Sequence, residues 1–147
     1  MKTDAICITT NGFVKKNGAA VMGRGCAKEA LDMFPGIDHE LGSILRGTHG
    51  NHVARLITPR HGWYDAGEGM EWDIEVFSFP VKYNWYEKAD INLIKRSASE
   101  IVDITSTWMF KSVAIPRPGC GNGQLDWSDV KKVLEPILDD RFQVVTF

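Results

Sequence analysis

Apolar positions along this chain follow two rhythms in alternation. "DAICITT", residues 4–10, is short, apolar and rich in β-branched residues, and reads as a buried strand. A loop bounded by two Asn-Gly pairs, "NGFVKKNG", follows it. Ala27, Ala30, Leu31 and Phe34 then fall at helical spacing, in a helix expected to end before Pro35. Ile37, Leu41, Ile44 and Leu45 predict a second helix, stopping near Gly47. "HVARLITP" and "WDIEVFSFPV" read as strands separated by the turn-rich "RHGWYDAGEGME". Ile91, Ile94, Ala98, Ile101 and Thr105 mark one face of a long helix, with Asp90 as its N-cap. "SVAIP" is a strand. Val130, Val133, Leu134, Ile137 and Leu138 predict an amphipathic helix capped by Asp126 or Ser128, and "FQVVTF" is the last strand. Strands alternating with helices, several of them continuous apolar runs, predict an α/β fold: a three-layer α/β/α sandwich about a mixed, largely parallel sheet. No repeat, linker or low-complexity segment divides residues 1–147, which read as one domain.

Composition narrows the function classes. A formal net charge of −2 argues against bulk electrostatic attachment to nucleic acid, while leaving room for a local basic groove. No stretch approaches the roughly 20 apolar residues of a membrane span, and "MKTDAICITT" lacks a signal-peptide layout. Cys7, Cys26 and Cys120 are odd in number and in no CxxC spacing, which suits a reducing, cytoplasmic compartment. His49 and His52, in "THGNH", have no Cys or carboxylate ligands beside them and read as a solvated loop rather than a zinc site. Nothing calls for a metal or an organic cofactor, and the chain is expected to be a monomer.

Two loops carry unusual backbone freedom. "AVMGRGCAKEA" places Gly23 and Gly25 where a helix begins. "RPGCGNGQLDW" places Gly119, Gly121 and Gly123 between a strand and a helix. In open α/β sheets ligands bind beyond the carboxyl ends of the strands, where N–H groups at helix starts favour a phosphate. Two such loops facing each other would hold a diphosphate. Standard nucleotide motifs fit poorly. Gly123 is followed by Gln124 rather than the Lys-Ser/Thr of a P-loop. A dinucleotide fingerprint on Gly119 and Gly121 would need its third glycine at Gln124, and only residues 124–147 remain beyond. Tight turns alone are the plain alternative.

Taken together, "TDAICITTNG", "VMGRGCAKEALDMFP", "FPVKYNW" and "IPRPGCGNGQLDW" resemble a macro domain, the ADP-ribose-binding module, over most of the chain. The family's "Asp-Ala-Ile-Val-Asn-Ala-Ala-Asn" strand matches with Asp4 at its aspartate and Asn11 at its second asparagine; Ile8 replaces the first. The "Met-Gly-x-Gly" loop, the Phe79-Pro80-x-Lys82-x-x-Trp85 segment and Gly119 to Trp127 are similar to the branch of DarG-type DNA ADP-ribosyl glycohydrolase antitoxins, with Gln124 replacing one glycine. Related enzymes acting on acidic protein side chains carry an aspartate where Gly123 stands, so their two-residue mechanism does not transfer. The chain begins three residues before Asp4, which leads us to expect that the family's first edge strand is missing.

The resemblance implies a macro-domain-like sandwich that removes ADP-ribose from a modified nucleobase or protein side chain, with ADP-ribose and its nucleic-acid or protein conjugates as partners. It implies adenine recognition by Asp4, distal-ribose contact by Asn11, and action of Lys82 at the anomeric carbon. Ligand contacts are expected from Ala5, from Met22, Gly23, Arg24 and Gly25, from Gly119, Cys120, Gly121, Asn122 and Gly123, and from Phe147 beside adenine. Plainer readings exist for each: a turn residue at Asp4, an Asn-Gly turn at Asn11, a surface lysine at Lys82. Cys120 has no histidine near it in sequence and reads as a small loop residue rather than a nucleophile. Trp127 reads as core, and Tyr83, Trp85 and Tyr86 either pack the loop or stack on a base. A reader of ADP-ribose without turnover, favoured by Gly123 in place of the aspartate, and an ADP-ribose 1″-phosphate phosphatase are the competing functions.

Overall fold

A computed structural model of the protein describes residues 3–56 and 74–146. The chain runs β1 (Ala5–Asn11), α1 (Gly25–Met33), α2 (Ile37–Arg46), β2 (Ala54–Leu56), β3 (Glu75–Lys82), α3 (Ile91–Thr107), β4 (Val113–Pro116), α4 (Trp127–Leu134) and β5 (Phe142–Val145), with a 3-10 turn at Gly121–Gly123. The sheet order is β2-β3-β1-β4-β5. All neighbours are parallel except β2, which pairs antiparallel with β3. This is the mixed sandwich that the alternation of rhythms predicts.

Period-two alternation sorts the side chains of each central strand between two cores. From β1, Ala5 and Cys7 join Phe77, Phe79 and Val81 of β3 beneath α3 and α4. Ile6 and Ile8 turn the other way, with Val76 and Leu56, towards α1 and α2. Burial pushes the Cys7 thiol far up, so it serves as a small apolar core residue.

Helix ends largely follow the sequence signals. Asp90 caps α3, its carboxylate accepting from the N–H groups of Asn92 and Leu93 at 2.8 and 3.2 Å. α1 ends at Met33, ahead of Pro35, and α2 at Arg46, before Gly47. The last helix is shorter than its apolar spacing suggests. It ends at Leu134, and Ile137 and Leu138 pack on the core from a turn in which both amides donate to the Leu134 carbonyl. Pro136 has no N–H to continue the helix. Asp126 sits at the N-cap position of α4 but bonds the Ser128 hydroxyl instead of a backbone amide. The predicted strand over 52–59 is described only to Leu56. The turn-rich 60–71 and the start of "WDIEVFSFPV" lie outside the described residues. Among the described residues no strand precedes β1, and no helix is long and apolar enough to cross a membrane.

One irregularity positions the site. β1 and β3 pair in register until Thr10 faces Pro80, then slip so that Asn11 faces Lys82. Proline cannot donate to the ladder, and a bulge beside it re-aims the residues that follow. The Pro80 carbonyl is held by the Ser97 hydroxyl of α3 at 2.8 Å. The two residues carrying the expected chemistry therefore end adjacent strands side by side.

Candidate functional site

A cleft of about 970 Å³ opens beyond the carboxyl ends of β1, β3, β4 and β5, where the fold logic places a ligand. Asn11 and Lys82 lie on its lining, with the loop carrying Gly23, Arg24 and Gly25 and the loop carrying Gly119 to Gly123. The Asn11 amide donates to the Val21 carbonyl at 3.2 Å, and its oxygen accepts from the Phe13 N–H at 3.1 Å. These two bonds fix the side chain and tie the following loop to the strand end. One amide hydrogen and one lone pair remain for a ligand.

The Lys82 ammonium donates to the carbonyls of Trp85 and Asn122 at 3.3 and 3.2 Å. It thus bridges the turn after β3 and the second glycine loop. Partial burial holds its pKa below the usual lysine range, and the positive charge of Arg24 lowers it further. The backbone around it is held from several sides. Gly12 donates to the carbonyls of Lys82 and Tyr83, the Asn51 amide donates to the Lys82 carbonyl, and the Ala89 N–H donates to Gly123.

The glycines of the second loop divide the work. A side chain at Gly119 would meet Ile94 at 2.7 Å and Leu125 at 2.8 Å, and one at Gly123 would meet Ala89 at 2.9 Å. Those two let the loop lie flat on α3 and its approach. Gly121 has φ +74° and open space where a Cβ would stand, so its smooth face belongs to the cleft. Across the cleft, Gly23 is likewise open, and Gly25 stands opposite the Asn122 amide at 3.4 Å from its notional Cβ. The two loops do face each other. The leading N–H groups of α1 and of the 3-10 turn have no partners within their own helical turns, which suits an anion. Gln124 adopts φ 65°, a left-handed conformation that glycine takes without strain, at the position where the DarG-type motif carries glycine.

Electrostatics agree. Lys15, Arg24, Lys82 and Arg117 line the cleft, and Glu87 is the single carboxylate among the described lining residues, in a chain whose net charge is −2. The Arg117 guanidinium lies over the Trp127 ring, 5.1 Å from its centre. Trp127 packs on the main core, as expected.

Several expected contacts are corrected. Asp4 and Ala5 stand at the amino end of β1, seven residues or about 23 Å of strand from Asn11, and neither lines the cleft. The Asp4 carboxylate accepts from the N–H groups of Lys111 and Ser112 at 2.7 and 3.2 Å, so it ties β1 to the start of β4 and cannot read an adenine in the cleft. Ala5 is fully buried in the core. Met22 also faces inward, 3% exposed against α1 and α2, and only its neighbours Val21 and Gly23 reach the lining. Cys120 lines the cleft, but burial raises its thiol pKa, which is the wrong direction for a nucleophile. Phe147 lies outside the described residues. His49 and His52 bond the Val53 carbonyl and the Glu100 carboxylate, and the described residues hold no metal-binding cluster.

Sequence reasoning missed Thr9, Thr10, Phe13, Lys15, Arg117, Val145 and Thr146, which also line the cleft. Arg117 had a signal, being a cation at a strand's carboxyl end before the glycine run. Lys15 and Phe13 had none, because the loop 12–20 is placed by bonds to Asn11 and by long-range backbone bonds to Lys82, Tyr83 and Asp38.

No protein-family model matches the chain. It is 26% identical over 124 residues to a DNA ADP-ribosyl glycohydrolase of Thermus aquaticus, covering 84% of this chain and 32% of that protein. Over 70 residues it is 32% identical to the DNA ADP-ribosyl glycohydrolase of Mycobacterium tuberculosis, covering 48% of this chain and 20% of that one. The chain thus spans a third or less of the curated relatives it matches. Among solved structures, the M. tuberculosis DarG macrodomain superposes with a TM-score of 0.75 at 20% identity, covering 98% of this chain and 89% of that one. The T. aquaticus DarG macrodomain gives 0.74 at 19%, covering 100% and 91%. Thermosipho africanus DarTG in complex with ADP-ribose gives 0.72 at 22%, covering 97% and 37%. The chain has the macro-domain fold of these DarG structures.

Proposed function

We propose that this domain binds ADP-ribose in the cleft and hydrolyses the bond between the distal ribose and its attachment, acting as an ADP-ribosyl glycohydrolase. The observation that carries the reading is Lys82. It is a lysine of lowered pKa, placed by a proline-linked bulge beside Asn11, at the rim of a cation-lined cleft between two open glycine loops. The diphosphate lies between the Gly23–Gly25 and Gly121 loops. The distal ribose lies over Asn11 and Lys82. Asp4 having no place in the cleft, the adenine end falls to the remaining lining towards Val145 and Thr146.

Cleavage of a glycosidic bond passes through an oxocarbenium-like state at the anomeric carbon. The departing group leaves with the bonding electron pair and is protonated from solvent. A neutral Lys82 amine has a lone pair to give to that carbon. Water then displaces the amine and yields free ADP-ribose. A lowered pKa matters here because it raises the fraction of neutral amine near neutral pH.

The test pairs rate with affinity on one preparation. Wild type should bind ADP-ribose in the micromolar range, roughly −8 kcal/mol at 1 μM, and AMP far more weakly, by calorimetry. It should release ADP-ribose from ADP-ribosylated DNA or protein. Lys82→Ala should lose about a thousandfold or more in rate while its ADP-ribose affinity changes only several-fold, as befits a group acting in the transition state. A variant that loses affinity but keeps its rate at saturation would make Lys82 a phosphate ligand. A wild type that binds ADP-ribose and turns over neither conjugate would leave a reader, the reading that glycine at position 123 favours.

A further inference from the structure

The backbone that carries Lys82 is held by a residue that does not line the cleft. The Lys82 carbonyl accepts from the Gly12 N–H at 3.1 Å and from the Asn51 side-chain amide at 3.2 Å. The first bond continues the pairing of the two strand ends. The second comes from the loop between α2 and β2, behind the cleft. Two side chains of α3, one turn apart, grip that loop. Arg96 Nη2 donates to the Asn51 carbonyl. The Glu100 carboxylate accepts from the Val53 N–H at 3.0 Å with one oxygen and from His52 Nδ1 with the other. Arg96 Nε stands 3.8 Å from that second oxygen. Ser97, between them in sequence, holds the Pro80 carbonyl. α3 therefore fixes the end of β3 by two routes, directly through Ser97 and at one remove through Asn51.

Stability alone does not account for this frame. Among the described residues three buried side-chain polar atoms lack a hydrogen-bond partner, and Asn51 Oδ1 and Arg96 Nε are two of them. A buried polar atom left in that state costs stability, and each one calls for an explanation in function or strain. Gly12 bears the same mark. A Cβ there would stand 2.8 Å from Asn51 Nδ2 and 2.9 Å from its Cγ, although no positive φ asks for glycine at this position. The room at Gly12 is chiefly room for the Asn51 amide.

We propose that Asn51 is a positioning residue for Lys82: held by Arg96, its amide fixes the end of β3 so that the Lys82 amine faces the distal ribose. The proposal rests on the glycohydrolase reading of the cleft and adds to it a residue that touches no ligand. A reacting group misplaced by about 1 Å can lose about a hundredfold in rate. The bond to Asn51 falls on the residue just past the register slip, where the sheet ladder controls the chain least.

The variant that separates positioning from folding is Asn51→Leu. Leucine fills a similar volume, the backbone at 51 is not left-handed, and the unpartnered oxygen goes with the amide. The melting temperature should therefore match or exceed that of wild type. On an ADP-ribosylated substrate kcat should fall about tenfold to a hundredfold, while KM and the affinity for free ADP-ribose stay within about threefold. Gly12→Ala, which crowds the amide out, should lower kcat similarly. In an Asn51→Ala background, where the room is already free, Gly12→Ala should add little further loss. A second readout needs no turnover. The Lys82 Cε signal, followed against pH by NMR in lysine-labelled protein and assigned through Lys82→Arg, reports where the amine titrates. Asn51→Leu should move that titration upward, because an amine no longer held in place gains water. A wild type without turnover would remove the glycohydrolase reading, and the upward move would still establish the positioning. A Lys82 titration unchanged by Asn51→Leu would overturn the proposal, as would a kcat unchanged in a wild type that turns over.

Discussion

The two ends of β1 hold polar side chains seven residues apart in one continuous motif, and they do different work. At the amino end, Asp4 spends its carboxylate on the Lys111 and Ser112 amides, and its own backbone donates to Ser112 and accepts from Glu75. Its hydrogen bonds are to the chain, and they stitch β1 to both neighbours. At the carboxyl end, Asn11 and Lys82 keep unspent bonding capacity, glycines leave open faces, and cations gather around one carboxylate. Polar groups turned inward on the backbone stabilise a sheet. Polar groups and helix starts left facing an open volume are available to a ligand.

The largest effect that would break this contrast is on the glycine faces. Gly23 has open space where a Cβ would stand, and its φ lies outside the left-handed region. Gly23→Glu adds bulk and negative charge to the proposed diphosphate site without backbone strain. ADP-ribose affinity should fall by about a hundredfold or more, since like charges brought together cost several kcal/mol, while the melting temperature stays near wild type. Gly121→Val should also abolish binding, with a stability loss of about 1–2 kcal/mol from its positive φ. Calorimetry alongside a thermal melt separates the two. A Gly23→Glu protein that binds ADP-ribose like wild type would remove the diphosphate from this loop.

The amino end should respond in the opposite sense. Asp4→Ala strips two backbone N–H groups of their acceptor, and should cost about 1–3 kcal/mol of stability for hydrogen bonds to a charged group. Denaturant unfolding measures that loss. At a temperature where the variant is folded, ADP-ribose should bind it as tightly as wild type. A selective loss of ADP-ribose affinity with stability intact would restore Asp4 to adenine recognition and overturn its structural role.

These outcomes bear on how much the sequence alone makes legible. Periodicity recovers the order of elements, because strands buried on both faces and amphipathic helices each leave a local signature. The two glycine loops and Lys82 are legible for a similar reason: loop chemistry at a strand's carboxyl end is local. Asp4 misleads because motif matching fixes a residue's place in a pattern and says nothing about which end of a strand faces the ligand. Its real partners, Lys111 and Ser112, lie more than a hundred positions away in sequence. Met22 misleads similarly, since in "VMGRG" the glycines mark a loop while the methionine is already turned into the core. The side-by-side placement of Asn11 and Lys82 depends on a register slip that only strand pairing creates.

The smallest effect sharpens the carboxyl end alone, and concerns the charge on Lys82. Two causes lower its pKa: partial burial, the larger, and the positive charge of Arg24. A neighbouring cation disfavours the protonated amine, so removing it must raise the pKa. If the neutral amine is the reacting form, kcat/KM rises with pH as Lys82 loses its proton in the free enzyme. Arg24→Met should therefore move that rising limb to higher pH. The shift should be modest, because burial remains. Added salt should move the wild-type limb in the same direction by screening Arg24, and should move the variant's less. Arg24 also faces the proposed diphosphate, so the variant's kcat/KM should drop at every pH, and the position of the limb, not its height, is the informative quantity. A limb that stays in place while the height falls would confine Arg24 to holding phosphate. A limb that moves to lower pH would mean that the titrating group is not Lys82.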